Sequence, residues 1–137
     1  MDDPIRLSPG SRLHSVEIGS LLAASWGYDA VAYLDADNWY APQHIETLIN
    51  AVMTRRAPIG ASKRTFHTLE GALMPISEVG EERHEHVDTS CYLITRPAFE
   101  LFPFWFMPKE LGPVCDRIIF HAILRRGLQI AFTDERT

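Results

Sequence analysis

An apolar run, AVAYL (30–34), ends on two acids one residue apart, Asp35 and Asp37, with Asn38, Trp39, Tyr40 and Pro42 close behind. Neighbouring carboxylates repel one another and resist desolvation, and a divalent cation removes both costs. Hard oxygen donors suit Mg2+ or Mn2+, whose shells are completed by water and by substrate phosphates. In an Asp-x-Asp turn the acids can divide the work, one facing a sugar hydroxyl or a base and the other the metal. Asp and Asn also favour plain solvated turns and helix starts, so the motif alone leaves both readings open. Trp39 and Tyr40 can stack on a sugar or base, or can anchor the turn as core residues.

Two further groups carry chemistry. HEHVD sets His84, His86 and Asp88 at alternate positions, which an extended chain would turn to one face. They read as a metal site of their own, as a patch touching acceptor or donor phosphates, or as an exposed polar loop. Asp116 opens a helical pattern, where a carboxylate can take a proton from an attacking hydroxyl or can cap the helix for about 1 kcal/mol. Arg117 beside it reads as an ion-pair partner or a surface charge. His14, His44, His67 and His121 read as surface or satisfied core residues. Cys91 and Cys115 have no metal-ligand spacing and no disulfide framework, so they read as reduced, partly buried thiols.

These groups depend on elements that periodicity predicts. Residues 1–11 read as an irregular lead-in. Apolar residues at helical spacing predict a helix over 12–26, stopped by Gly27. The run 30–34 reads as a buried, parallel, central strand. Pro42 suits a helix start, and Ile45, Leu48, Ile49 and Val52 form its apolar stripe, with Arg55 and Arg56 at its end. Strands are expected at 58–66, 89–94 and 128–133, with a long loop holding a short strand between the first two. Pro97 opens a short aromatic helix. An irregular apolar stretch follows over 102–113, in which Phe102, Phe104, Trp105 and Phe106 read as core or interface, and then comes a helix from Asp116 to Gly127. Helices alternating with apolar strands predict an α/β layered sandwich on a mostly parallel mixed sheet.

The chain has 137 residues, 46% hydrophobic and 23% charged, which favours one globular domain. A formal net charge of −5 argues against a nucleic-acid partner held by a basic surface. The N-terminal residues show no apolar signal core, and the apolar runs fall short of the roughly 20 residues a membrane span needs. The expectation is a cytoplasmic protein without a transmembrane segment.

AYLDADNWYAPQHIETLINAV resembles the Asp-x-Asp region of glycosyltransferases of the GT-A fold, in particular the large family-2-like group. There an apolar strand is followed by Leu-Asp-Ala-Asp-Asp/Asn, an aromatic residue, a proline and an amphipathic helix. AASWGYD is similar to that family's helix end before the strand. The resemblance implies a partial GT-A fold and transfer of a sugar from a nucleotide-diphosphate donor to an acceptor hydroxyl, with inversion and with Mn2+ or Mg2+. It implies that Asp35, together with Asn38, contacts the donor, Asp35 at the nucleoside. It implies that Asp37 binds the metal bridging the diphosphate. TSCYLITRPAFELF looks like the strand beneath the acceptor site, with Arg96 and Phe99 in the family's places. GPVCDRIIFHAILRRGLQIAF matches a helix opened by an acidic pair whose Asp is the catalytic base. Asp116 falls on that Asp, and Cys115 stands where Glu is usual. His86, Asp88, Trp39 and Arg117 are read from the residues themselves as candidate contacts to acceptor or phosphates. The acceptor itself is not specified by any motif. The family's opening strand–helix–strand unit has no counterpart before residue 12. Residues 1–137 therefore read as one truncated domain, completed by another chain or segment. Two alternatives stand beside this reading: a truncated non-catalytic relative binding a metal or a partner, and a GT-A-like nucleotidyltransferase.

Overall fold

A computed structural model describes residues 11–137. The lead-in expected over 1–11 lies outside these residues, apart from Ser11, which already opens helix α1 (Ser11–Ser25). Gly27 takes a left-handed φ of +86°, a conformation cheap only for glycine, and turns the chain into β1 (Ala30–Ala32). Arg96 donates to the carbonyls of Gly27 and Tyr28 at 2.6 and 2.7 Å, so it fastens the end of α1. Helix α2 (His44–Arg55) follows, then β2 (Ile59–Lys63), the short hairpin β3 (Phe66–His67) and β4 (Leu73–Met74), and β5 (Tyr92–Thr95). A 3-10 run (Arg96–Trp105) carries the prolines and aromatics expected to be irregular. A second (Lys109–Val114) leads into α3 (Cys115–Arg125), and β6 (Ile130–Arg136) ends the chain.

The main sheet has the order β1-β5-β2-β6. β5 runs antiparallel to both β1 and β2, and only β2 and β6 pair in parallel. The sheet is mixed as expected, but it is not mostly parallel by pairing. The cause lies in the connection. Parallel neighbours need a crossover, usually a helix, and the segment between β2 and β5 holds only a hairpin and 3-10 turns. β5 therefore re-enters at the end where β2 left and runs back. β1 is likewise an edge strand among the described residues, not a central one. It is apolar because both of its faces are packed: Val31 joins the cluster on one side, and Ala30 and Ala32 the cluster on the other.

The larger cluster sets Ile59, Tyr92 and Ile94 against Phe102 and Trp105 of the 3-10 run and Ile119 and Ile123 of α3. The smaller one sets Leu48 and Val52 of α2 against Leu93 and Ala131. Layers on both sheet faces make this an α/β sandwich. The α2 stripe is narrower than expected, since Leu48 and Val52 are buried while Ile45 and Ile49 are 37% and 45% exposed. Phe102 and Trp105 are core residues, whereas Phe106 faces outward. Cys91 and Cys115 are free thiols. No described helix is long and apolar enough to cross a membrane.

Gly60 sets the distance between α2 and the sheet. A Cβ there would lie 3.0 Å from Val52 Cγ1 and 3.3 Å from the Leu48 carbonyl oxygen. The carbonyl belongs to a helix and cannot swing aside. Gly60→Ala is expected to cost about 1–3 kcal/mol in urea unfolding. Adding Val52→Ala relieves the nearer clash, so the pair should couple favourably by about 0.5 kcal/mol or more. Strict additivity would show that the two residues do not collide.

Candidate functional site

Ligands in open α/β sheets bind beyond the carboxyl ends of the strands. Here β1 and β2 end at one edge, and the reversed β5 begins there. Asp35, Arg64 and the segment Asp88–Ser90 are thereby delivered to one place by three different strands. α3 adds Asp116 from its first turn.

The Asp-x-Asp turn is held from below by Ser90. Its Oγ accepts from the Asp35 backbone N–H at 3.2 Å and from Asn38 Nδ2 at 3.1 Å. The Asn38 N–H closes the turn on the Asp35 carbonyl at 3.0 Å. The Tyr40 hydroxyl bonds back to the Tyr33 carbonyl. These bonds use backbone, amide and hydroxyl groups and leave the carboxylates of Asp35 and Asp37 exposed. Trp39 is 61% exposed and so belongs to the surface rather than the core. It tilts against His67 with ring centroids 5.0 Å apart.

Asp88 is the structural acid of the edge. One carboxylate oxygen accepts from the Ser90 N–H at 3.1 Å and the other from Arg64 at 2.7 Å. Arg64 also pairs with Glu78, and its backbone N–H donates to the buried Glu81 at 2.7 Å. Glu81 accepts from Arg136 at 3.1 Å as well, and Lys63 donates to Glu82 at 2.8 Å. The charged loop after β4 is therefore the counter-charge of the cations that leave β2. Burial works against the charge on Arg64, and Asp88 and Glu78 more than offset it, holding its pKa above the ordinary value. Burial raises the pKa of Asp88. Arg64 and the Ser90 N–H pull it down, and Asp35 and Asp116 push it further up. Burial, and then Asp88, pushes the Cys91 thiol up to about 12, so it stays protonated beneath the site.

The HEHVD alternation does not survive folding. A 3-10 turn (Glu81–Arg83) and a positive φ of 56° at His84 break the extended path. His84 stacks on Phe132 with centroids 4.0 Å apart. His86 is buried, its Nε2 3.4 Å from Asp116 Oδ2. Asp88 faces Arg64. The three side chains thus have three separate neighbours. Asp116 is not the helix cap either: Val114 holds that position, and Asp116 Oδ1 accepts from the next N–H, that of Arg117, at 2.7 Å. The Arg117 side chain is exposed and makes no ion pair with Asp116. Arg96 and Phe99 lie at the far end of β5, where Arg96 serves α1.

A pocket of about 170 Å³ is lined by Asp37, Asn38, Trp39, Arg64, His67 and Asp88, among others. Asp116 and His86 lie outside its lining. Among the described residues, no three His, Cys, Asp or Glu side chains are grouped so as to hold a metal alone. Mg2+ and Mn2+ bound with a phosphate substrate take only one or two protein carboxylates. The exposed, unpaired Asp37, with Asp35 beside it, fits that smaller donor set. Arg64 and Ser90 were not singled out from sequence. Arg64 carried a signal, a cation directly after an apolar strand at the ligand end. Ser90 carried none, being 55 residues from the turn it holds. Comparison with protein-family models, curated proteins and solved structures finds no match to this chain.

Asp88 gives a pH test. Its folded pKa is raised, so on a pH increase the unfolded chain loses the proton first. Its contribution to stability is complete below the unfolded value of about 4 and is lost as pH climbs through the folded value. In urea midpoints measured across that window, the wild type should lose stability relative to Asp88→Asn as pH rises. A wild-type advantage that grows with pH would contradict the assignment.

Proposed function

We propose that this chain is the catalytic part of a metal-dependent, inverting glycosyltransferase, which moves a sugar from a nucleoside-diphosphate donor to an acceptor hydroxyl. The observation that carries the reading is the Asp-x-Asp turn, anchored by Ser90 beyond the carboxyl end of β1 with the carboxylates of Asp35 and Asp37 left exposed. The α/β layering supports a partial GT-A fold. Among the described residues β1 is an edge strand, where the segment or partner chain that the resemblance asks for would pair.

Asp37 would hold Mn2+ or Mg2+. When bound, the ion supplies positive charge against the diphosphate leaving group. Asp35 and Asn38 orient the nucleoside and sugar, on a turn that Ser90 keeps rigid. Trp39 offers an exposed aromatic face for a sugar ring. Arg64 is committed to Asp88 and Glu78, so it positions the edge rather than binding phosphate. Asp116 takes the acceptor proton as the hydroxyl oxygen bonds to the anomeric carbon and the sugar–diphosphate bond breaks, its electron pair leaving with the diphosphate. A single displacement with one base inverts the anomeric centre.

Calorimetric titration with uridine and guanosine diphosphates tests the donor site. Binding of at least one is expected to require MnCl2, and Asp37→Ala should weaken it about tenfold or more. Equal affinity in Asp37→Ala would remove Asp37 as the metal ligand. Asp116→Asn should leave that binding within about twofold while lowering transfer about 10²–10⁴-fold. Undiminished transfer would remove Asp116 as the base.

A further inference from the structure

His86 sits 6% exposed in the segment that joins the charged loop to β5. Neither of its ring nitrogens has a hydrogen-bond partner among the described residues. Buried polar groups are normally paired, and leaving one unpaired costs its full desolvation. Among the described residues, the acid found within ion-pair distance of the ring is Asp116, with Oδ2 3.4 Å from Nε2. The backbone around His86 is fixed on both sides. The Glu85 N–H bonds the Gly80 carbonyl at 2.9 Å, and Asp88 is tied to Arg64 and to Ser90. Gly80 takes a φ of +86°, a conformation that favours glycine in the turn before His86. The other oxygen of Asp116 is already held by the Arg117 N–H at 2.7 Å.

We propose that His86 is a positioning residue for Asp116. In its neutral form it carries the proton on Nε2 and donates to Oδ2, so that the carboxylate is gripped at both oxygens and aimed across the edge. The proposal rests on the reading of Asp116 as the base. At 3.4 Å Nε2 lies within reach of Oδ2, but the two atoms are not aligned as a hydrogen bond. Catalytic hydrogen bonds are commonly long without substrate and tighten in the reacting complex. His86 is thus removed from the groups that touch acceptor or phosphate and acts through Asp116.

Long-range proton–nitrogen correlation spectra at pH 8 test the pair without any assay of transfer. Wild-type His86 is expected as the Nε2–H tautomer, and Asp116→Ala should abolish that preference. A wild-type Nδ1–H tautomer, or a tautomer indifferent to Asp116→Ala, overturns the proposal. With a uridine diphosphate sugar as donor, His86→Leu should lower kcat tenfold or more with donor KM within twofold. His86→Gln, which keeps an N–H near the Nε2 position, should recover most of the loss. Equal losses in the two variants would leave His86 a packing residue and overturn the proposal. If the wild type transfers no sugar, the transferase reading fails, and the tautomer measurement alone decides whether His86 and Asp116 are paired.

Discussion

Arg64 stands where β2 leaves the sheet, with Asp88 on one guanidinium nitrogen and Glu78 on another, while its own N–H holds Glu81. A half-buried cation is costly unless it is paired, and a cluster of acids is costly unless it is neutralised. Each condition solves the other. The pairing draws the charged loop down onto the sheet end, and the loop in turn brings Asp88, Ser90 and His86 into place. Without that cation, Asp88 would keep only the Ser90 N–H against the charges of Asp35 and Asp116.

The acids of this edge then fall into two sets. Asp88, Glu78 and Glu81 are engaged with Arg64, Arg136 and backbone N–H groups, so their charge is spent on the fold. Asp35 and Asp37 have exposed carboxylates, and among the described residues neither makes an ion pair. Their turn is nevertheless firm, because Ser90 holds it through groups other than the carboxylates. Charge that the fold leaves unmatched is charge available to a ligand. This contrast separates the acids engaged by the fold from those left unengaged more clearly than the motif does.

Much of this was legible in the chain itself. Local signals placed α1 and its stop at Gly27, the strand before the acids, and the helix after Pro42, because glycine conformation and apolar periodicity act within a few residues. The reversal of β5 was less visible, since it follows from the missing crossover helix in a segment that reads only as loop. The alternation in HEHVD misled because one left-handed residue, His84, resets the faces of all that follow. Arg64–Asp88, His86–Asp116 and Ser90 beneath the turn are pairings between distant segments, and one sequence carries no local trace of them. The narrow α2 stripe has the same origin: which of Ile45, Leu48 and Ile49 is buried depends on where the sheet lies beneath the helix.

The reversed strand has a consequence for how such a site can diversify. Because β5 enters at the same sheet edge where β2 leaves, the segment between them begins and ends beside the pocket, and its hairpin tip (69–72) is exposed. Leu69 at that tip is fully exposed. Insertions or exchanges there can reshape what the pocket admits while the sheet and the anchored turn stay unchanged. The tip can thus vary without disturbing the bonds of Arg64 to Glu78, Glu81 and Asp88 that tie the rest of the same segment to the sheet.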